Sequence, residues 1–75
     1  MKVLYFSSIA EITGFPEQDI PAVNSVTELK QLLENKYPSI KDIRYAVAVN
    51  RVLVDDEKRL TENDEVALLP PFSGG

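Results

Sequence analysis

Apolar positions recur along the chain with two periods, and the switches between them mark out the elements. Lys2 to Ser7 is short and rich in β-branched and aromatic residues, which predicts a strand. In Ser8 to Gly14, Ile9 and Ile12 stand three apart and Gly14 sits where a helix would be capped, so one or two helical turns are expected. Gln18 to Val23 predicts a weak strand, and the interruption by Pro21 places it at a sheet edge. Ser25-Val26-Thr27-Glu28 has the spacing of a reciprocal cap, with the Ser25 hydroxyl accepting from the Glu28 amide and the Glu28 carboxylate reaching back. The helix behind it runs to about Tyr37, with Val26, Leu29, Leu32, Leu33 and Tyr37 on one face and Lys30, Glu34 and Lys36 toward the other; Pro38 ends it. Tyr45 to Asn50 and Val52 to Val54 predict a hairpin turning at Asn50-Arg51. Glu65 to Leu69 predicts the last strand, stopped by Pro70-Pro71.

One good amphipathic helix and a short second helix among four or five strands predict an α+β fold. The arrangement that suits this order is a mixed sheet with the main helix packed across it, the roll of ubiquitin-like domains. Another small α+β roll or a ferredoxin-like split are the alternatives, and the latter needs a second full-length helix that the C-terminal half lacks. Strand alternation assigns Val3, Tyr5, Val47, Val49, Val52, Val54, Val66 and Leu68 to the helix-covered face. The opposite parity holds Leu4, Phe6, Ala46, Ala48, Leu53, Ala67 and Leu69. An uncovered face ordinarily alternates to polar residues, and this one does not. Either both parities are partly core, or Phe6, Leu53 and Leu69 anchor a flat apolar patch that binds another protein.

Composition narrows the chemistry. Eight Lys and Arg against twelve Asp and Glu give a net charge of −4 in 75 residues, one small domain. With no basic cluster, nucleic acid is not expected as a partner. Apolar runs of about five residues fall far short of the roughly 20 that span a bilayer, so no membrane association is expected. The N-terminus lacks a long apolar segment with a small-residue cleavage site, which predicts a cytoplasmic protein. There is no Cys and no His, so thiol chemistry, the commonest metal ligands and the usual neutral-pH base are missing. Asp55-Asp56-Glu57 lacks the spacing and the glycine of a calcium loop, and Glu62 and Asp64 flank a turn, where carboxylates cap. No metal site and no bound cofactor are expected.

Pro70-Pro71-Phe72-Ser73-Gly74-Gly75 differs from the body (residues 1–69) that precedes it. Pro-Pro favours a stiff extended path, and six extended residues reach roughly 20 Å. The two glycines present no Cβ, so such an end can thread a narrow channel. The unusual chemical group is then the Gly75 carboxylate. Activated by ATP as an acyl-adenylate on a partner, it can accept sulfur to become a thiocarboxylate, or an amine to become an isopeptide. A sulfur carrier of this kind needs no cysteine.

Leu68-Leu69-Pro70-Pro71-Phe72-Ser73-Gly74-Gly75 resembles the C-terminal signature of the MoaD-type small subunits of molybdopterin synthase, in the MoaD/ThiS family. Lys2-Val3-Leu4-Tyr5-Phe6, Ala48-Val49-Asn50 and Leu60 to Ala67 are also similar to it, so the likeness covers essentially the whole chain. The resemblance implies a β-grasp fold and a non-catalytic carrier. Gly75 would be adenylated by a ubiquitin-activating-type enzyme using ATP and thiocarboxylated from a sulfur donor such as a cysteine desulfurase or rhodanese. The tail would then enter the large subunit, in a heterotetramer of two small and two large subunits. There the sulfur would serve the dithiolene of molybdopterin, in molybdenum cofactor biosynthesis. By position, Phe6, Leu53 and Leu69 match the family's hydrophobic contact surface. Phe72 and Ser73 stand where the family often has Val and Ala, and Leu69 where Phe is common. A carrier for the thiamine pathway or tRNA thiolation, a ubiquitin-like protein modifier and a plain interaction module are the competing readings.

Overall fold

A computed structural model describes residues 1–71. Five strands, β1 (Lys2–Tyr5), β2 (Glu17–Asp19), β3 (Ala46–Val49), β4 (Val52–Val54) and β5 (Glu65–Leu69), form one mixed sheet in the order β2-β1-β5-β3-β4. The central pair β1 and β5 is parallel, with Val3 opposite Val66; the other pairs are antiparallel. Helices α1 (Ser7–Thr13) and α2 (Val26–Lys36) complete the α+β roll expected from the element order.

Local chemistry explains most boundaries. Gly14 adopts φ +83° and donates its N–H to the Ala10 carbonyl at 2.9 Å, ending α1 as a left-handed cap. β2 is shorter than predicted. Its last ladder bond is Ile20 N–H to the Met1 carbonyl, and Pro21 has no amide to continue. It does lie at the sheet edge, as Pro21 suggested. The Ser25 hydroxyl accepts from the Glu28 amide at 3.4 Å. The return bond from Glu28 is absent among the described residues; the segment is held by a bridge to Arg59, through Val26 N–H to the Lys58 carbonyl and Leu60 N–H to the Asn24 carbonyl. Pro38 ends α2 but not the helical course. A 3-10 helix, Pro38–Asp42, follows with Pro at its start and delivers Ile40, fully buried, to the core.

The core lies between the sheet and α2. Val3, Tyr5, Val47, Val49, Val66 and Leu68 are buried as the alternation predicts, against Ile9, Val26, Leu29, Leu33 and Ile40. Val54 is only partly buried, and two further assignments need correction. Val52 is 63% exposed although its partner Val49 is buried, because β4 is a three-residue edge strand. Leu32 is 43% exposed: Leu29 and Leu33 hold the inward arc of α2, and Leu32 turns toward β2.

Polar clamps fix the sheet's far side. Asn50 and Arg51 have φ of 51° and 72°, the left-handed pair that a two-residue type I′ hairpin requires. Such a conformation costs a β-carbon-bearing residue about 1 kcal/mol. Asn50 offsets this with its side chain, donating to Asp64 Oδ1 at 2.9 Å and accepting from the Glu65 amide at 3.0 Å. Asp64 Oδ2 accepts from the Thr61 amide at 2.8 Å. Lys30 pairs with Asp56 at 2.7 Å and stands 5.3 Å from the Tyr45 ring centre, joining α2 to the β3 and β4 side.

Candidate functional site

The sheet face opposite α2 is the candidate site. Register aligns Leu4, Ala67, Ala48 and Leu53 in one row across β1, β5, β3 and β4, about 14 Å wide at normal strand spacing. Ala46 and Leu69 make the next pair. The small residues keep the middle low, and Ala48 is buried between its neighbours. At the margins Phe6, just past β1, is 43% exposed, and Leu53 on the edge strand is 67% exposed. Leu69 is half-buried. The alternation therefore describes a real second apolar face, not a displaced register.

Phe6, Leu53 and Leu69 line one shallow depression of about 410 Å³. Leu53 and Leu69 also line a neighbouring one of about 340 Å³, which continues over Ala46 to Pro70 and Pro71. The apolar surface therefore runs without a break from Phe6 to the root of the tail. Pro70, assigned to the tail by sequence, is buried, so the packed body extends one residue further and Pro71 is the first exposed position beyond β5. Phe72, Ser73, Gly74 and Gly75 lie outside the described residues. Arg51 and Glu65 reach the first depression and Arg44 the second; the sequence reading did not single them out.

Titratable groups with displaced pKa values lie around the fold's polar clamps and not on this face. Burial, with the Tyr37 phenol nearby, pushes Tyr5 up to about 12; its hydroxyl donates to Gln18 Oε1 at 2.7 Å. Burial and its bond to Glu34 push Tyr45 up. The hydrogen bonds from Asn50 and the Thr61 amide hold Asp64 below the usual carboxylate value. Among the described residues no group of three or more Asp or Glu side chains is placed to hold a metal ion, and no helix is long and apolar enough to cross a membrane.

A second concavity, about 500 Å³, lies between β2 and α2 and is lined by Phe15, Ile20, Leu32 and Lys36 among others. Phe15 is 50% exposed. It sits at the opposite end of the strand order from β4. The sequence reading missed it because Leu32 counts as core by helical spacing alone.

A model described as the ThiS family matches residues 3–75. The chain is 36% identical to the molybdopterin synthase sulfur carrier subunit of Pyrenophora tritici-repentis, over 97% of this chain and 87% of that one. Its fold matches the solution structure of small archaeal modifier protein 1 from Methanosarcina acetivorans with a TM-score of 0.85 and 26% identity, covering 99% and 94% of the two chains. It also matches a chain in the complex of subunits 1 and 2 of molybdopterin-converting factor from Helicobacter pylori, with a TM-score of 0.72 and 30% identity over 99% and 96%. These neighbours share the ubiquitin-like β-grasp fold. A continuous apolar sheet face leading into a Pro-Pro-x-x-Gly-Gly end, together with likeness over the full length, gives the chain its place: it belongs to the ThiS/MoaD family.

Proposed function

We propose that this chain is the sulfur-carrier subunit of a molybdopterin synthase, with Gly75 as the residue that carries sulfur. The observation that supports this most directly is likeness over nearly the whole chain to relatives named as that subunit, through a family match that includes Gly75. The apolar face that ends at the tail's root supports the reading, since such a carrier needs a surface that its partners can grip.

The chemistry follows from the terminal carboxylate. On an adenylating partner it attacks the α-phosphate of ATP, releasing pyrophosphate and forming an acyl-adenylate. A sulfide-level donor then displaces AMP and leaves a thiocarboxylate. In the large subunit, the sulfur displaces an oxygen substituent from a carbon of the pterin precursor, and water then cleaves the acyl–sulfur bond to return the carboxylate. The chain contributes no His or Cys to these steps. Its own part is to present the terminus, with Phe6, Leu53 and Leu69 seated on the partner and Pro70 to Gly74 directing the chain inward. The large subunit, the adenylating enzyme and a cytosolic sulfur donor are the partners this requires, in a synthase of two small and two large subunits.

Intact mass tests the reading. Incubation with the adenylating enzyme, ATP and a sulfur donor should exchange one oxygen for sulfur, mapped to the C-terminal peptide. Removal of Gly75 should abolish the exchange and synthase activity without lowering the melting temperature. An unmodified mass under conditions that modify a relative refutes the proposal. The likeness to a small archaeal modifier protein favours one second reading, attachment to lysines of other proteins. That reading predicts isopeptide-linked conjugates in place of the mass exchange.

A further inference from the structure

The open face carries a charge pattern that an apolar handle alone does not require. The chain is net −4, yet two of the three charged side chains lining the depressions are Arg51 and Arg44; the third is Glu65. Setting these three aside leaves six positive and eleven negative side chains, or −5, on the rest of the molecule. The binding face is thus locally positive on an acidic body. Neither arginine forms an ion pair or a side-chain hydrogen bond among the described residues, where the three ion pairs engage the N-terminus, Lys2 and Lys30.

Arg51 stands out by its backbone. At φ 72° it fills the second central position of the β3–β4 turn, where glycine is the residue that fits without strain. Asn50 beside it is held by its own hydrogen bonds to Asp64 and Glu65; Arg51 has no such compensation. A side chain kept at a strained position, without an internal partner and over a docking face, points to an external one.

We propose that Arg51, together with Arg44, selects the partner, engaging carboxylates on the large-subunit surface that border its apolar seat for Phe6, Leu53 and Leu69. This rests on the carrier reading above. Charge at the margin of an interface acts mainly on association rate and on the choice between partners, and Arg suits carboxylates because its fork can bind both oxygens.

The test uses the full chain and the molybdopterin synthase large subunit of the same organism, with association followed by stopped flow across a range of salt. Arg51→Gly should keep or raise the melting temperature while weakening binding about 5-fold, chiefly through slower association and a shallower salt dependence. Arg51→Lys should restore most of the salt dependence. The double change Arg44→Glu and Arg51→Glu should slow association on the order of 100-fold at low salt and much less at high salt. If the wild-type chain forms the complex and Arg51→Gly matches it in affinity and salt slope, the arginine proposal falls and the carrier reading stands. A clear drop in melting temperature for Arg51→Gly also overturns it, since the side chain then serves the fold. If the wild-type chain does not bind at any salt, the carrier reading fails and the proposal with it.

Discussion

Behind each residue of the covered face stands one of the open face, and the two sets differ in shape more than in polarity. Val3, Val66 and Val47 are β-branched, almost fully buried and locked against Leu29 and Leu33. On the reverse, Leu4, Ala67, Ala48 and Leu53 run large, small, small, large, so two alanines form a floor between side chains that project. The first set fills space to the density that a core requires. The second leaves space that another protein can fill. An apolar face becomes a core or an interface according to what lies over it, and in this chain α2 decides the matter for one side only.

Substitutions of equal size should therefore have unequal effects. Leu29→Ala removes a fully buried side chain beneath the sheet and should cost about 3 kcal/mol of stability, measured by denaturant unfolding. Leu53→Ala deletes the same atoms from a side chain 67% exposed and should change stability by less than about 0.5 kcal/mol. A comparable loss in both would mean that the open face is packed within the monomer.

Binding separates the two faces in the opposite sense. Leu53→Ala and Phe6→Ala should each weaken association with the large subunit about 10-fold, the range of a contributing interface anchor, as read by calorimetry. Leu29→Ala, assayed where it remains folded, should bind nearly as the parent does. Normal binding by both open-face variants would remove the patch from the interface.

Parity along the strands made both faces legible, since alternation needs only a correct register. It could not say how far the covered area extends, and that is why Val52 and Leu32 depart from the reading: Val52 lies on the short edge strand, and Leu32 on the side of α2 turned toward β2. Pro38 was a sound stop for i to i−4 bonding, but it permits the tighter turns that carry Ile40 inward. Phe6, Leu53 and Leu69 were legible as a patch, and the fold brings all three to one depression. The Asn50 clamp and the placing of Arg44 and Arg51 join residues far apart in sequence, so no local pattern announces them. The Phe15–Leu32 groove was hidden for the same reason.

The clamp gives a smaller effect that belongs to neither face. Asn50→Ala loses the bonds to Asp64 and Glu65 and should cost about 1 kcal/mol, whereas Asn50→Gly separates the lost bonds from the lost left-handed tolerance. Asp64 is held below its usual value in the folded chain, so its contribution is present above the unfolded carboxylate pKa and disappears as pH falls through the lower folded one. The Asp64 carboxyl, followed by NMR, should titrate at higher pH in Asn50→Ala. An unshifted titration would mean that the clamp is not formed in solution.

The finest distinction between the faces is the polar end of Tyr5, the one strand residue of the covered face that carries a hydroxyl inward. Tyr5→Phe keeps the ring and loses the bond to Gln18, so near neutral pH it should cost less than about 1 kcal/mol. Its larger signature is in alkali. Tyr5 ionises at about 12 in the folded chain against 10 for the free side chain, so the neutral phenol favours folding. That contribution is complete below pH 10 and is lost as pH rises through about 12. Tyr45 is displaced in the same direction, and both chains should weaken in alkali, so the difference between them reports Tyr5 alone. Wild type should lose more stability than Tyr5→Phe between these limits, while large-subunit binding at neutral pH stays the same for both. Parallel alkaline curves would mean that the hydroxyl reaches water, and that the covered face is less sealed at β1 than its burial implies.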